Sequence, residues 1–147
     1  MNRPVFAILV LTICGLALSC GCEKDAKGPT DEELVSKVVA DFQAAWAEHD
    51  LEKLMGLFSD SFRDNEGLGK TELEVEFAEE DVMQIFELKI DGMEIKVEMG
   101  KAKVNHLEMK SAWGSLDLRF ALEKEGGKWM ITSGGPEERL DAMPAQY

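Results

Sequence analysis

Beyond residue 22 the chain contains no cysteine; Cys14, Cys20 and Cys22 are its only three. No disulfide can therefore hold a folded domain in the remainder, whatever the redox compartment, and packing alone must stabilise it. Tyrosine is almost missing too, with Tyr147, the last residue of the sequence, as the single example. Two histidines, His49 and His106, complete a poor set of zinc ligands. Positive charge is scarce: 16 Lys and Arg stand against 29 Asp and Glu, a formal net charge of −13. So acidic a chain repels phosphate backbones and anionic headgroups, which argues against a nucleic-acid partner. No internal repeat and no low-complexity segment occurs. At 147 residues the chain has room for one domain and a single sizeable core.

The longest uncharged stretch is at the start. In MNRPVFAILVLTICGLALSCGC (1–22), Arg3 is followed by the apolar run Val5–Leu18 and then by small residues, the layout of an export signal. Its end resembles a bacterial lipoprotein signal, in which a small residue precedes the cysteine that is acylated. Ala17-Leu18-Ser19-Cys20 fits this pattern, and Ser19-Cys20-Gly21-Cys22 is the alternate. The competing reading is an uncleaved anchor, since Pro4–Cys22 is nearly the ~20 residues that span a bilayer. The small-residue end favours cleavage. Either way the domain is expected outside the cytoplasm, attached to a bacterial membrane. Residues 23–29, EKDAKGP, form a short polar tether, leaving 30–147 as the domain.

Residues 31–62 read as a helix pair. Leu34, Val35, Val38, Val39, Phe42, Ala45 and Trp46 recur at helical spacing, and Thr30 with Glu33 makes a capping box after Pro29. His49 breaks the helix, and Asp50 is placed to cap a second one carrying Leu51, Leu54, Met55 and Phe58. Residues 63–70, RDNEGLGK, form a loop with two superficial motifs. Gly69-Lys70-Thr71 looks like the end of a P-loop, but the first glycine of that motif would fall on Asp64. The acids Asp64 and Glu66 suggest a calcium loop, but Phe62 takes the first ligand position. Thr71 with Glu74 offers a capping box for a third helix to about Glu79, with Leu73 and Phe77 turned inward.

From Gln84 the period changes to two. Phe86, Leu88 and Ile90 alternate with charged residues; so do Met93, Ile95, Val97 and Met99 after a turn at Asp91-Gly92. In 101–110 the phase slips: Ala102 and Val104 share one face, Leu107 and Met109 the other, which predicts a bulge near Asn105-His106. Leu116, Leu118, Phe120 and Leu122 give a regular strand. Gly126-Gly127 is a hairpin turn into Lys128–Thr132, and Gly134-Gly135-Pro136 is expected to end the sheet before one helical turn in 137–143. The fold class is therefore α+β: N-terminal helices packed on a curved antiparallel sheet of four to five strands.

Three segments, LEKLMGLFSDSFRDNEGLGKTEL (51–73), MEIKVEMGKAKVN (93–105) and LRFALEKEGGKWMITSG (118–134), resemble the nuclear transport factor 2-like superfamily, which includes the SnoaL-like cyclases. The resemblance implies a cone whose hollow side, closed by helices, forms an apolar pocket. It does not imply an activity, because the superfamily holds enzymes of several kinds and many members without one. Its enzymes carry an acid or histidine in the cone, often with a tyrosine, and Tyr147 is poorly placed for that role.

His106, with Glu108 on the same strand face, is the candidate catalytic pair, the acid orienting the imidazole as a general base. Asp64 and Glu66 are further candidate acids. Asp117 and Arg119 are assigned to the outer face because Leu116, Leu118 and Phe120 claim the inner one; a solvated ion pair or a contact between copies is expected of them. Met55, Met83, Met93, Met99, Met109 and Met130 would suit a promiscuous apolar pocket, although ordinary core filling is the simpler reading. Trp46, Trp113 and Trp129 are expected in the core or at its rim. The expectation is thus a lipid-anchored, non-catalytic module binding a small apolar ligand or a partner. The alternative is an isomerase-, dehydratase- or cyclase-type enzyme using His106 and Glu108. No cofactor or metal is expected, and the domain should be a monomer or weak homodimer.

Overall fold

The first helix sets the geometry. In the computed structural model, which describes residues 28–79 and 82–137, α1 spans Asp31–Glu48. Its start is the expected reciprocal cap: Thr30 Oγ1 accepts from the Glu33 N–H at 3.2 Å, and Glu33 accepts from the Thr30 N–H at 2.7 Å. Its end is His49, left-handed at φ 55°, and Asp50 then caps α2 (Leu51–Met55) by accepting from the Lys53 N–H. Val35, Val39, Phe42, Ala45 and Trp46 are buried along one face of α1.

The second helix is shorter than its apolar spacing suggested. Phe58 begins a strand, β1 (Phe58–Asp64), which pairs parallel with the last strand of the sheet. Its pairing is interrupted, with Phe58 opposite Ile131 but Arg63 opposite Ser133. Phe58 and Phe62 are buried on one side, and the irregularity shows between them, where Ser59 is buried and Asp60 exposed. Lys70 explains how the bulge is held: its Nζ donates to the Phe58 carbonyl and to Asp60 Oδ1, each at 3.0 Å. The lysine of the apparent P-loop is a clasp on β1.

Helix α3 (Lys70–Glu79) starts one residue before the expected box at Thr71 and Glu74. Glu72 accepts from the Gly69 N–H at 3.1 Å instead, because a side chain reaches back to the cap residue only from the third helical position. A single turn, α4 (Val82–Ile85), replaces the expected start of a strand at Gln84. The sheet continues through β2 (Glu87–Lys89), β3 (Glu94–Glu98), β4 (Lys101–Ser111), β5 (Gly114–Glu125) and β6 (Lys128–Pro136), in the order β1-β6-β5-β4-β2, with β3 also on β4. The α+β expectation holds, but the sheet has six strands rather than four or five, and β1 makes it mixed.

The bulge in β4 is where the phase slip placed it. Val104 faces Phe120 and Leu107 faces Leu118, so Asn105 and His106 together oppose one residue, and His106 takes φ 62°. The slip keeps Ala102, Val104, Leu107 and Met109 all buried. Strand β6 does not stop at its glycines; it pairs with β5 as far as Pro136 opposite Leu118. Gly134 is buried there because the Phe120 ring occupies the place of its missing side chain.

Helices and sheet close on an aromatic centre. Phe42 meets Phe120 at 5.0 Å, Phe58 at 6.0 Å and Trp46 at 5.9 Å between ring centroids, and Phe58 meets Phe62 at 4.9 Å. The buried apolar residues run from Val35 to Ile131, so the chain from residue 23 onward contains the whole described core. Trp46 and Trp129 are buried within it, whereas Trp113 sits on the β4–β5 turn with 82% of its surface exposed, outside core and rim alike. The leader with Cys20 and Cys22, residues 23–27, the expected turn in 137–143 beyond Glu137, and Tyr147 lie outside the described residues.

Candidate functional site

The bulge turns His106 onto the outer face of the sheet, away from the aromatic centre. Its Nδ1 lies 3.1 Å from Asp117 Oδ2, and the imidazole is half exposed. The histidine's partner is thus Asp117 on the neighbouring strand rather than Glu108 on its own. Glu108 sits directly across from Asp117 in the ladder, so the three share one shallow notch of about 170 Å³ with Ser115 and Leu116. In the tautomer that donates from Nδ1 to Asp117, Nε2 remains an acceptor. The second oxygen of Asp117, Oδ1, is buried with no hydrogen-bond partner among the described residues.

Asp117 and Arg119 are on the outer face as expected but do not pair with each other. Arg119 reaches Glu137 at 3.4 Å, and the Glu137 N–H donates to the Asp117 carbonyl at 2.7 Å. Asp64 and Glu66 belong to a different groove, of about 570 Å³, with Arg119 and Glu76. Asp64 Oδ1 accepts from the N–H groups of Glu66 and Leu68 at 2.9 and 2.7 Å, which shapes the loop. Among the described residues no group of three or more His, Cys, Asp or Glu side chains is arranged to hold a metal ion.

A larger groove, about 720 Å³, runs between α1 and the segment 83–88 and ends at Lys110–Ala112. It shares no lining residue with the His106 notch. Ala40, Ala44 and Ala47 of α1 leave its floor low, and Met83, Ile85, Phe86 and Leu88 supply apolar wall. Two side chains of α1 fix that wall: Trp46 Nε1 donates to the Phe86 carbonyl at 2.7 Å, and Gln43 Nε2 to the Leu88 carbonyl at 2.9 Å. Phe86 immediately precedes β2 and Leu88 lies within it, at the edge of the sheet. The sequence does carry a trace of the groove, in alanines at 40, 44 and 47 beside the apolar stripe of α1, but small residues on a half-exposed helix face have no distinctive signature.

No family model matches the sequence, and no curated protein does. Solved structures do match. A protein of unknown function with a cystatin-like fold from Nostoc punctiforme PCC 73102 superposes with a TM-score of 0.58 at 16% identity, over 80% of this chain and 100% of that one. Bd1075 of Bdellovibrio bacteriovorus gives 0.59 at 13% identity over 69% of this chain, which spans only 38% of that longer protein. An NTF2-like protein of unknown function from Pseudomonas putida KT2440 gives 0.55 at 14% identity, over 72% of this chain and 84% of that one. At such identities the likeness speaks for the fold. With helices laid on one side of a curved, mixed six-stranded sheet, the domain has the nuclear transport factor 2-like fold.

Proposed function

We propose that the protein is an exported lipoprotein, anchored through Cys20 (Cys22 the alternate), whose domain binds a small apolar ligand without catalysis. The observation that carries the binding role is the groove on α1, an alanine floor facing a wall in which Met83, Ile85, Phe86 and Leu88 are interleaved with Gln84 and Glu87, held in place by Trp46 and Gln43. Preformed, mainly apolar concavities with a few polar groups are the usual form of small-molecule sites. The cone interior is filled by Phe42, Phe58, Phe62 and Phe120, which directs a ligand to the groove instead. Titration of the chain from residue 23 onward with a fluorescent naphthylamine probe tests this. Saturable binding lost in Ala44→Trp, with an unchanged unfolding midpoint, is the expected result; binding that survives this filling of the groove refutes it. Mass spectrometry of the mature N-terminus tests the anchor, and a start other than an acylated cysteine refutes it.

One observation favours the enzyme alternative, in altered form. His106 is oriented by Asp117, whose Oδ2 lies 3.1 Å from its Nδ1. General-base chemistry at Nε2 would then act at the outer notch rather than in a cone pocket. Any turnover found for the protein should disappear in His106→Gln if this reading is right.

A further inference from the structure

Six methionines lie among the described residues, and their surroundings differ sharply. Met55 and Met109 are buried in the core, and Met83, Met93 and Met130 are partly covered. Met99, at the turn between β3 and β4, is 99% exposed. It also holds φ 46°, a backbone region where glycine or asparagine is the ordinary occupant, and Gly100 beside it is at φ 76°. The turn therefore holds backbone strain at Met99 and gains no apolar burial from the side chain in return.

The chemistry open to an exposed thioether is oxidation. A peroxide in solvent reaches the sulfur lone pairs directly, and susceptibility follows that access. Oxidising Met55 or Met109 would set a polar oxygen among the apolar side chains of the core. At Met99 the oxygen enters water instead, beside groups able to donate to it. Lys96, Lys101 and Lys103 line one shallow groove of about 360 Å³ with Met99, Glu98 and Ala102. Lys96 and Lys103 stand directly opposite each other across the β3–β4 ladder, and neither makes an ion pair among the described residues. Like charges so placed repel, and a sulfoxide oxygen is an acceptor for such ammonium groups where the parent thioether is a poor one.

We propose that Met99 is a site of reversible oxidation, at which the domain consumes peroxide without harm to its fold. A sulfur lone pair attacks one oxygen of the peroxide, and the S–O bond forms as the O–O bond breaks. The departing oxygen takes the proton released from the transferred one, so hydrogen peroxide leaves as water and the sulfur, two electrons poorer, becomes a sulfoxide. A methionine sulfoxide reductase reverses the step with electrons from a thiol, and the exposed turn gives it access to the folded chain. The site shares no residue with the groove on α1 or with the His106 notch, so its oxidation leaves both unchanged.

The test exposes the chain from residue 23 onward, which holds the whole described core, to a small excess of hydrogen peroxide. Peptide mass spectrometry follows Met99 and the other five described methionines through the time course. Met99 is expected to gain oxygen several-fold faster than any of the five, with the urea midpoint unchanged once it is fully oxidised. A methionine sulfoxide reductase with dithiothreitol should then remove the oxygen from the folded protein. Met99→Leu, treated identically, isolates what this residue does to stability: under prolonged peroxide its midpoint should fall along the same course as the parent's, because only the covered methionines then matter. Oxidation of any of the five as fast as Met99 overturns the proposal. So does an early loss of stability in the parent that Met99→Leu escapes, or a sulfoxide at Met99 that the reductase leaves in place on the folded chain.

Discussion

Gly134→Ala is the sharpest probe of how helix and sheet meet. A methyl group at this position would stand 2.7 Å from the Arg119 carbonyl oxygen and closer still to the Phe120 ring. Neither has freedom to withdraw. Arg119 is paired across the ladder with Gly135, and the buried Phe120 ring meets Phe42 edge-on at 5.0 Å. Overpacking a core costs about 1–3 kcal/mol, and a backbone obstacle belongs at the upper end of that range. Replacing glycine lowers the entropy of the unfolded chain and returns about 0.4–1 kcal/mol. The expected net loss is therefore about 2 kcal/mol. With a urea slope of about 1–3 kcal/mol/M, that lowers the midpoint by about 1 M, measured by far-ultraviolet circular dichroism on the chain from residue 23 onward. Phe120→Ala alone should cost about 3–5 kcal/mol. The double variant should lose at least ~1 kcal/mol less than the sum, because removing the ring makes room for the methyl. A Gly134→Ala protein within ~0.5 kcal/mol of the parent, or strictly additive losses, would refute the reasoning.

Acid should loosen the start of α1. The hydrogen bond from the Lys124 ammonium, joined by that from Trp129, holds the Asp31 carboxyl below its ordinary value of 3.8. A carboxyl lowered by folding stabilises above its unfolded pKa and loses that contribution as pH falls through the folded one, so Asp31→Asn should flatten the urea midpoint's decline below about pH 4. His106 pairs a left-handed backbone with an exposed side chain; His106→Gly should be more stable than His106→Ala by about 1 kcal/mol in urea titrations, and equality would mean that the bulge relaxes. On self-association, net acidity and an outer sheet face of mixed charges predict a monomer or weak dimer in sedimentation at low salt, and a tight dimer at nanomolar concentration would show that this face is misjudged.

What could be read from the chain beforehand followed from how regular each element is. The capping box at Thr30, the stripe of α1 and the alternation of β5 from Leu118 to Leu122 appear as expected, whereas Leu116, expected on the inner face, is 45% exposed near the start of the strand. The bulge at Asn105-His106 was legible because it breaks a period between two regular stretches. Strand β1 was not, for a related reason. Phe58 and Phe62 point inward at a spacing of four, directly after Leu54 and Met55, with Asp60 between them exposed, so the apolar residues continue a helical rhythm through a strand. The irregular backbone is held by the clasp of Lys70 on the Phe58 carbonyl and by the Ser59 hydroxyl, which accepts from the Ser61 N–H and donates to Glu125, and such long-range contacts leave no mark in local pattern.

The site resisted prediction on the same grounds. His106 and Glu108 do share the outer notch, as strand parity grouped them, but the hydrogen-bond partner of the imidazole comes from β5, as Asp117, and only the cross-strand ladder places it there. The bulge bears on function. A histidine that kept strand phase between Val104 and Leu107 would compete with them for the packed inner face, where a half-exposed imidazole could not be accommodated without desolvation. The extra residue solves the packing problem by sending His106 outward, and in doing so removes its acid–base chemistry from the cone. A ligand for this domain is thus left with surfaces that the core does not claim, and the groove on α1 is one whose wall is held by directed hydrogen bonds.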